Sequence, residues 1–264
     1  MAIMCGIFGF ALREPVALSE VFAVLQRLEV HQYPGELRPV GGFGAGVAVL
    51  ADDGQIALEK VGKIGNSPAR SLSETVRFGG ARVLFGHVRM PSPEFLGSAG
   101  FRETAQPYVV RQGDVTVVSV HNGKVENYKK LRENLGESRV LESERRAELI
   151  DSEVVPHLFA QLLRENATVD EALDRFFSSL EGNNTVGLLQ VTSSGDAFLH
   201  FVHKGRTRGF RVWINHDGEL VFCSRREPLT EYFVDLLKKG DFTERVSIGW
   251  QEPAETKLSF PVFL

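Results

Sequence analysis

Cysteine is scarce in this sequence: two residues, Cys5 and Cys223, in a chain of 264. Two thiols make neither a disulfide framework nor a four-ligand zinc site, which fits a reducing compartment. No run of 18 or more apolar residues occurs, so no helix is expected to span a membrane. Neither sign of charge dominates: 34 acidic against 30 basic residues leave a formal charge of −4. Without a basic excess, the chain lacks the footprint of non-specific nucleic-acid binding. The opening MAIMCGIFGFALREP has no basic stretch ahead of its apolar part and does not read as a secretory signal. No G-x-x-x-x-G-K-[ST] phosphate loop is present, and nothing in the sequence argues for a nucleotide, flavin or metal. The expectation is a soluble, cytoplasmic protein with no cofactor and no nucleic-acid or membrane partner.

Periodic segments fill most of the chain. Cys5 to Leu12 (CGIFGFAL) reads as a buried strand. Ser19 is expected to cap a helix whose Val21, Phe22, Leu25 and Leu28 share one face. Two prolines and three glycines between His31 and Phe43 predict a loop. Then GAGVAVLADDGQIALEKV predicts a hairpin turning at Asp52-Asp53-Gly54. Ala81 to Met90 is a further strand followed by a polar loop. The strand DVTVVSVHN runs into a helix bearing Val125, Tyr128, Leu131 and Leu135. Helices starting near Asp151 and over Val169 to Leu180 follow. The strands TVGLLQVT, AFLHFVH, FRVWIN and ELVFCS come next, then a helix from Pro228 to Lys239 and a final LSFPVFL. Hairpins mixed with helices, without regular βαβ alternation, predict an α+β sandwich of two mainly antiparallel sheets. No composition break divides the chain, so one domain is expected.

Cys5 admits two readings. Free cysteine in a strand is most simply a small buried hydrophobe. A thiol is also a nucleophile that needs only a nearby base or a depressed pKa. Other candidates are plainer: His200 and His203 follow strand alternation rather than a metal pattern, and Cys223 reads as core. Lys238-Lys239 and Arg225-Arg226 read as solvated helix ends.

The stretch Met4-Cys5-Gly6-Ile7-Phe8-Gly9 resembles the start of the class II glutamine amidotransferases, members of the N-terminal nucleophile hydrolase superfamily. The resemblance implies that Cys5 is the catalytic nucleophile, with its own freed α-amine as general base; such an amine titrates near pH 7.7–8.0. Gly86-His87-Val88-Arg89 resembles the family's strand-end motif, which makes Arg89 the clamp for the α-carboxylate of glutamine; read alone, Arg89 is a surface residue closing a strand. His121-Asn122-Gly123 resembles the family's H-N-G motif. It assigns the Asn122 side-chain amide and the Gly123 N–H to the oxyanion hole, although Asn-Gly alone is a common turn. Asp151-Ser152-Glu153 resembles an element whose aspartate, here Asp151, contacts the α-ammonium. Ser152 and Glu153 stay structural, and the triplet is also good helix-capping chemistry. Gly41-Gly42-Phe43-Gly44-Ala45-Gly46 resembles a further glycine-rich family segment. The implied fold is the four-layer αββα sandwich of the superfamily.

Two departures lie near the motifs: Met90 stands where members often carry an aromatic residue, which alters that wall of the pocket, and Gln106-Pro107 stands where many read His-Pro, with no obvious chemical consequence. A third concerns activation. Met1 to Met4 precede Cys5, so residues 1–4 are a leader or a misassigned start, and residues 5–264 are the domain. With those residues attached, the Cys5 nitrogen is an amide and not a base. The implied activity is hydrolysis of L-glutamine through a cysteine thioester. Because the chain ends at Leu264, the resemblance implies that ammonia goes to a separate synthase subunit. Rival readings are a standalone γ-glutamyl amide or peptide hydrolase, and a non-catalytic glutamine-binding subunit with a blocked Cys5.

Overall fold

Strand segments whose alternate residues are apolar need two buried faces, and the chain supplies them by stacking two sheets between helical layers. A computed structural model describes residues 5–136 and 140–262. The expected leader, Met1 to Met4, lies outside the described residues. In chain order the strands are β1 (Gly6–Ala17), β2 (Gly44–Leu50), β3 (Ile56–Gly62), β4 (Gly80–Val88), β5 (Tyr108–Gln112), β6 (Val115–Gly123), β7 (Asn184–Thr192), β8 (Ala197–Gly205), β9 (Phe210–Ile214), β10 (Leu220–Cys223), β11 (Thr243–Ile248) and β12 (Ala254–Val262). One seven-stranded sheet has the order β11-β9-β10-β1-β4-β2-β3, and a five-stranded sheet has the order β12-β8-β7-β6-β5. Every strand pair described is antiparallel.

The helices are α1 (Leu18–Val30), α2 (Pro68–Thr75), α3 (Tyr128–Asn134), α4 (Val154–Glu165), α5 (Val169–Ser179), α6 (Arg226–Tyr232) and α7 (Val234–Lys239). Residues of α1, α2 and α6 bury against the outer face of the seven-stranded sheet, through Leu25, Leu72 and Leu229 among others. Residues of α4 and α5, including Phe159 and Phe176, cover the five-stranded sheet. Between the sheets lies a third core. There Phe222 stands 5.1 Å from Phe85 and 4.9 Å from Phe201, ring centre to ring centre. Each such ring withdrawn from water contributes about 1.5–3 kcal/mol. This is the α+β, four-layer αββα sandwich expected. No helix among the described residues is long and apolar enough to cross a membrane.

Local details differ from expectation. Helix α1 starts one residue before Ser19, after Ala17, which offers no side-chain cap. Helix α2 escaped the sequence reading because its eight residues bury only Pro68, Ala69 and Leu72; Ser67 caps it by accepting the Arg70 N–H at 3.2 Å. Strands β5 and β11 were also missed, and the helix expected over Pro228 to Lys239 breaks at Phe233 into α6 and α7.

Register sets the site. Gly6 at the start of β1 pairs with Val88 at the end of β4. Cys5 therefore sits immediately before β1, beside the point where β4 delivers Arg89. From the facing sheet, β6 ends at Gly123. Inward alternation through Val118 and Val120 carries on to Asn122.

Candidate active site

The Cys5 thiol lies against the backbone that leaves β4: its sulfur accepts the Met90 N–H at 3.3 Å and stands 3.5 Å from the Met90 carbonyl. Burial pushes its pKa up to about 11, a rise that the Met90 hydrogen bond and the charges of Arg89 and Arg208 only partly offset. At neutral pH the group is therefore a thiol, and nucleophilic attack requires a partner to take its proton. The surroundings alone do not activate it.

Arg89 is buried rather than a surface residue. Its guanidinium donates to Thr104 Oγ1 at 2.6 Å, to Ser98 Oγ at 2.9 Å and to the Ser98 carbonyl at 3.5 Å. No carboxylate among the described residues forms an ion pair with it. Burial lowers its pKa, while Tyr108, Cys5 and Asp151 act in the opposite sense. A buried cation held only by neutral oxygens is a strong recipient for an anionic ligand. Ser98 and Thr104 belong to short 3-10 turns, Pro93–Ser98 and Arg102–Thr104, in the segment expected as a polar loop. Glu94 in that segment pairs with Lys124 at 2.5 Å, and Phe95 meets the edge of the Tyr128 ring. The segment is thus a lid fastened over the strand ends.

Asn122 is fully buried, and neither its amide nitrogen nor its amide oxygen has a hydrogen-bond partner among the described residues. A buried amide without a protein partner is costly. Gly123 follows at φ +123°, and a Cβ there would stand 1.9 Å from the Asn183 carbonyl oxygen, so only glycine fits. The pair ends a strand rather than forming an isolated turn.

Asp151 is buried and accepts the Val125 N–H at 2.9 Å. Burial raises its pKa, opposed by the His121 charge and the Val125 hydrogen bond. Its expected capping role is corrected: it opens a 3-10 turn, Asp151–Glu153, without a side-chain cap, because the carboxylate reaches across to Val125. Ser152 and Glu153 make buried hydrogen bonds, and Ser152 also lines the pocket that holds Cys5. The Ser152 hydroxyl meets His121 Nδ1 at 2.8 Å, and Glu153 accepts the Ser143 N–H at 2.9 Å and its hydroxyl at 2.5 Å. His121 Nε2 lies 2.9 Å from Asn184 Oδ1. His87 is buried, and neither ring nitrogen makes a well-formed hydrogen bond among the described residues. Burial and the Arg89 charge press its pKa down to about 3, against slight help from the His121 backbone.

One pocket is lined by Cys5, Arg89, Gly123 and Asp151, so four of the five expected residues meet there; Asn122 precedes Gly123 in the same strand. Its open volume is about 30 Å³, room for a water and not for an amino acid. Sequence reasoning missed Ser98 and Thr104, which contact Arg89, and noted Gln106 only as a departure without a role, although it bonds His121; polar residues between a strand-end arginine and the next strand were the available signal. Among the described residues no group of three or more His, Cys, Asp or Glu side chains could hold a metal ion.

Away from the pocket, Arg225 corrects the expectation of a solvated helix end. It is fully buried, joined to Glu36 and stacked 4.2 Å over the Tyr33 ring, because it lies where β10 turns into α6. His200 and His203 each have separate partners, Gln190 and Thr185.

Comparison with known proteins places these features. A family described as glutamine amidotransferase domain matches residues 98–231, a stretch that includes Asn122, Gly123 and Asp151. A glutamine--fructose-6-phosphate aminotransferase [isomerizing] from Sulfurisphaera tokodaii is 28% identical over 99% of this chain and 44% of its own. Its namesake from Streptomyces coelicolor is 36% identical over 69% of this chain and 26% of its own. The chain thus spans less than half the length of the curated relatives it matches. Among solved structures, glutamine phosphoribosylpyrophosphate amidotransferase from B. subtilis, complexed with ADP and GMP, superposes with a TM-score of 0.60 at 18% identity. That match covers 98% of this chain and 50% of the other. It establishes a shared fold.

Proposed function

The chain belongs to the glutamine amidotransferase domain family, class II, and from that premise we propose that it hydrolyses the side-chain amide of L-glutamine and donates the ammonia. The supporting observation is the convergence in one pocket of a cysteine thiol, a buried guanidinium without a carboxylate and the end of a strand bearing an orphaned amide. In this reading residues 5–264 are one domain, and Cys5 acts as the N-terminal residue of the mature chain.

Its α-amine takes the thiol proton as sulfur bonds to the amide carbon, and the same proton passes to the departing nitrogen. The Asn122 amide and the Gly123 N–H receive the negative oxygen of the tetrahedral intermediate. Arg89 grips the α-carboxylate in place of Ser98 and Thr104, and Asp151 holds the α-ammonium. After ammonia leaves, water cleaves the γ-glutamyl thioester to glutamate. The ammonia then passes to a synthase active site, proposed here on a separate subunit.

Two measurements test the reading on protein whose intact mass shows a free Cys5 terminus. Glutamine should be converted to glutamate and ammonia, and a glutamine-like electrophile should form an adduct on Cys5. A free Cys5 that neither turns over glutamine nor takes the label would remove the catalytic role.

A further inference from the structure

Strands β5 and β6 are paired with Tyr108 opposite Ser119 and Val109 opposite Val118. Continued by two residues, that register sets Gln106 opposite His121. The backbone pairing ends at Tyr108 and Ser119, so the backbone itself does not extend the ladder to Gln106. The side chain of Gln106 does so instead: its Oε1 accepts the His121 N–H at 2.6 Å, and its Nε2 donates to the His121 carbonyl at 3.1 Å. Gln106 and His121 are both buried. The Gln106 backbone is confined as well, since a Cβ on Gly46 of β2 would stand 2.2 Å from its carbonyl oxygen.

In an antiparallel ladder, backbone groups alternate between the two edges of a strand. The His121 N–H faces the β5 edge, so the Gly123 N–H, two residues on, faces the same edge beyond the end of β5. The next amide, Lys124 N–H, turns to the β7 side and donates to the Asn183 carbonyl at 3.0 Å. Gln106 and Gly123 both line the pocket that holds Cys5. We propose that Gln106 is a positioning residue for the oxyanion hole: its side-chain amide replaces the missing rung of β5 and fixes the height at which Gly123 and Asn122 present their donors.

The inference rests on the proposed glutaminase reading and concerns the transition state rather than the grip on glutamine. Gln106→Leu keeps the size of the side chain and removes both hydrogen bonds. It should lower kcat on the order of 10- to 100-fold, as small displacements of catalytic donors do, with KM within about twofold. Gln106→His, the residue many family members carry before this proline, should restore most of the loss. Unchanged kcat in folded Gln106→Leu, or a rise in KM alone, would overturn the proposal. If the parent protein turns over no glutamine, the functional reading has failed rather than this one. Amide exchange then carries the test: His121 should lose protection in Gln106→Leu and the Gly123 amide resonance should move. Amides identical to the parent's would equally overturn it.

Discussion

The two cysteines lie on neighbouring strands of one sheet and face opposite ways. Cys223 in β10 pairs opposite Phe8 and points into the core beneath α1 and α6, fully buried, with a pKa raised to about 12. Cys5 stands three residues before Phe8, on the inward face with Ile7, where the strand ends and a pocket begins. Its pKa is raised too, to about 11. Burial thus treats both thiols alike, and what separates them is the company at the strand end. The buried guanidinium near Cys223, Arg225, is joined to Glu36, whereas Arg89 beside Cys5 has no carboxylate partner among the described residues and an orphaned amide, Asn122, lies at the facing strand end. A reactive position is made here by strand parity and by where the ladder stops.

The sharpest break of that comparison is deletion of each sulfur. Cys5→Ala is expected to abolish glutamine hydrolysis; Cys223→Ala should retain it and cost about 1–2 kcal/mol of stability, as core truncations do. Activity surviving in the first variant, measured as ammonia release, would undo the assignment. Arg89→Lys comes next. A point charge cannot reproduce the fork, and losing a charged hydrogen bond of about 1.5–3 kcal/mol should raise KM by roughly 10- to 100-fold. An unchanged KM would count against Arg89 as the clamp.

The pH profile probes what relieves the unfavourable thiol. With a free α-amine as base, kcat/KM should rise through about pH 7.7–8.0 and level off. Without it, the rate should keep climbing toward the thiol value of about 11, and that slope would show that no base assists.

The smallest expected effect lies beside the pocket. His87 stays neutral in the fold down to about pH 3, against an ordinary value of 6.5. The unfolded chain takes up that proton first, so stability is lost as pH falls from about 6.5 toward 3. In His87→Leu the unfolding midpoint should fall less over that window, and an unchanged acid slope would show that His87 does not contribute.

Periodicity made most elements legible, because apolar spacing of two or of three to four is written locally. It failed for α2, with two turns and few apolar residues, and for β5, whose five residues sit behind Pro107. The ordered motifs around Cys5, Arg89, Asn122-Gly123 and Asp151 were likewise visible in one dimension. Burial of charge was not: Arg225 next to Arg226 looks like a solvated pair, yet one is buried on Tyr33 and the other is exposed and joined to Glu244.

By itself, then, the sequence determined most of the kinds of element, the local hairpins and the order of the reactive motifs, since each depends on residues close in the chain. Only the tertiary structure decided that Arg89 is buried under its own lid, that Asp151 reaches Val125 rather than capping a helix, and that Gln106 supplies a rung of β6. Those outcomes depend on the register between strands, and on which groups compaction leaves without water. Segments far apart in the chain set both.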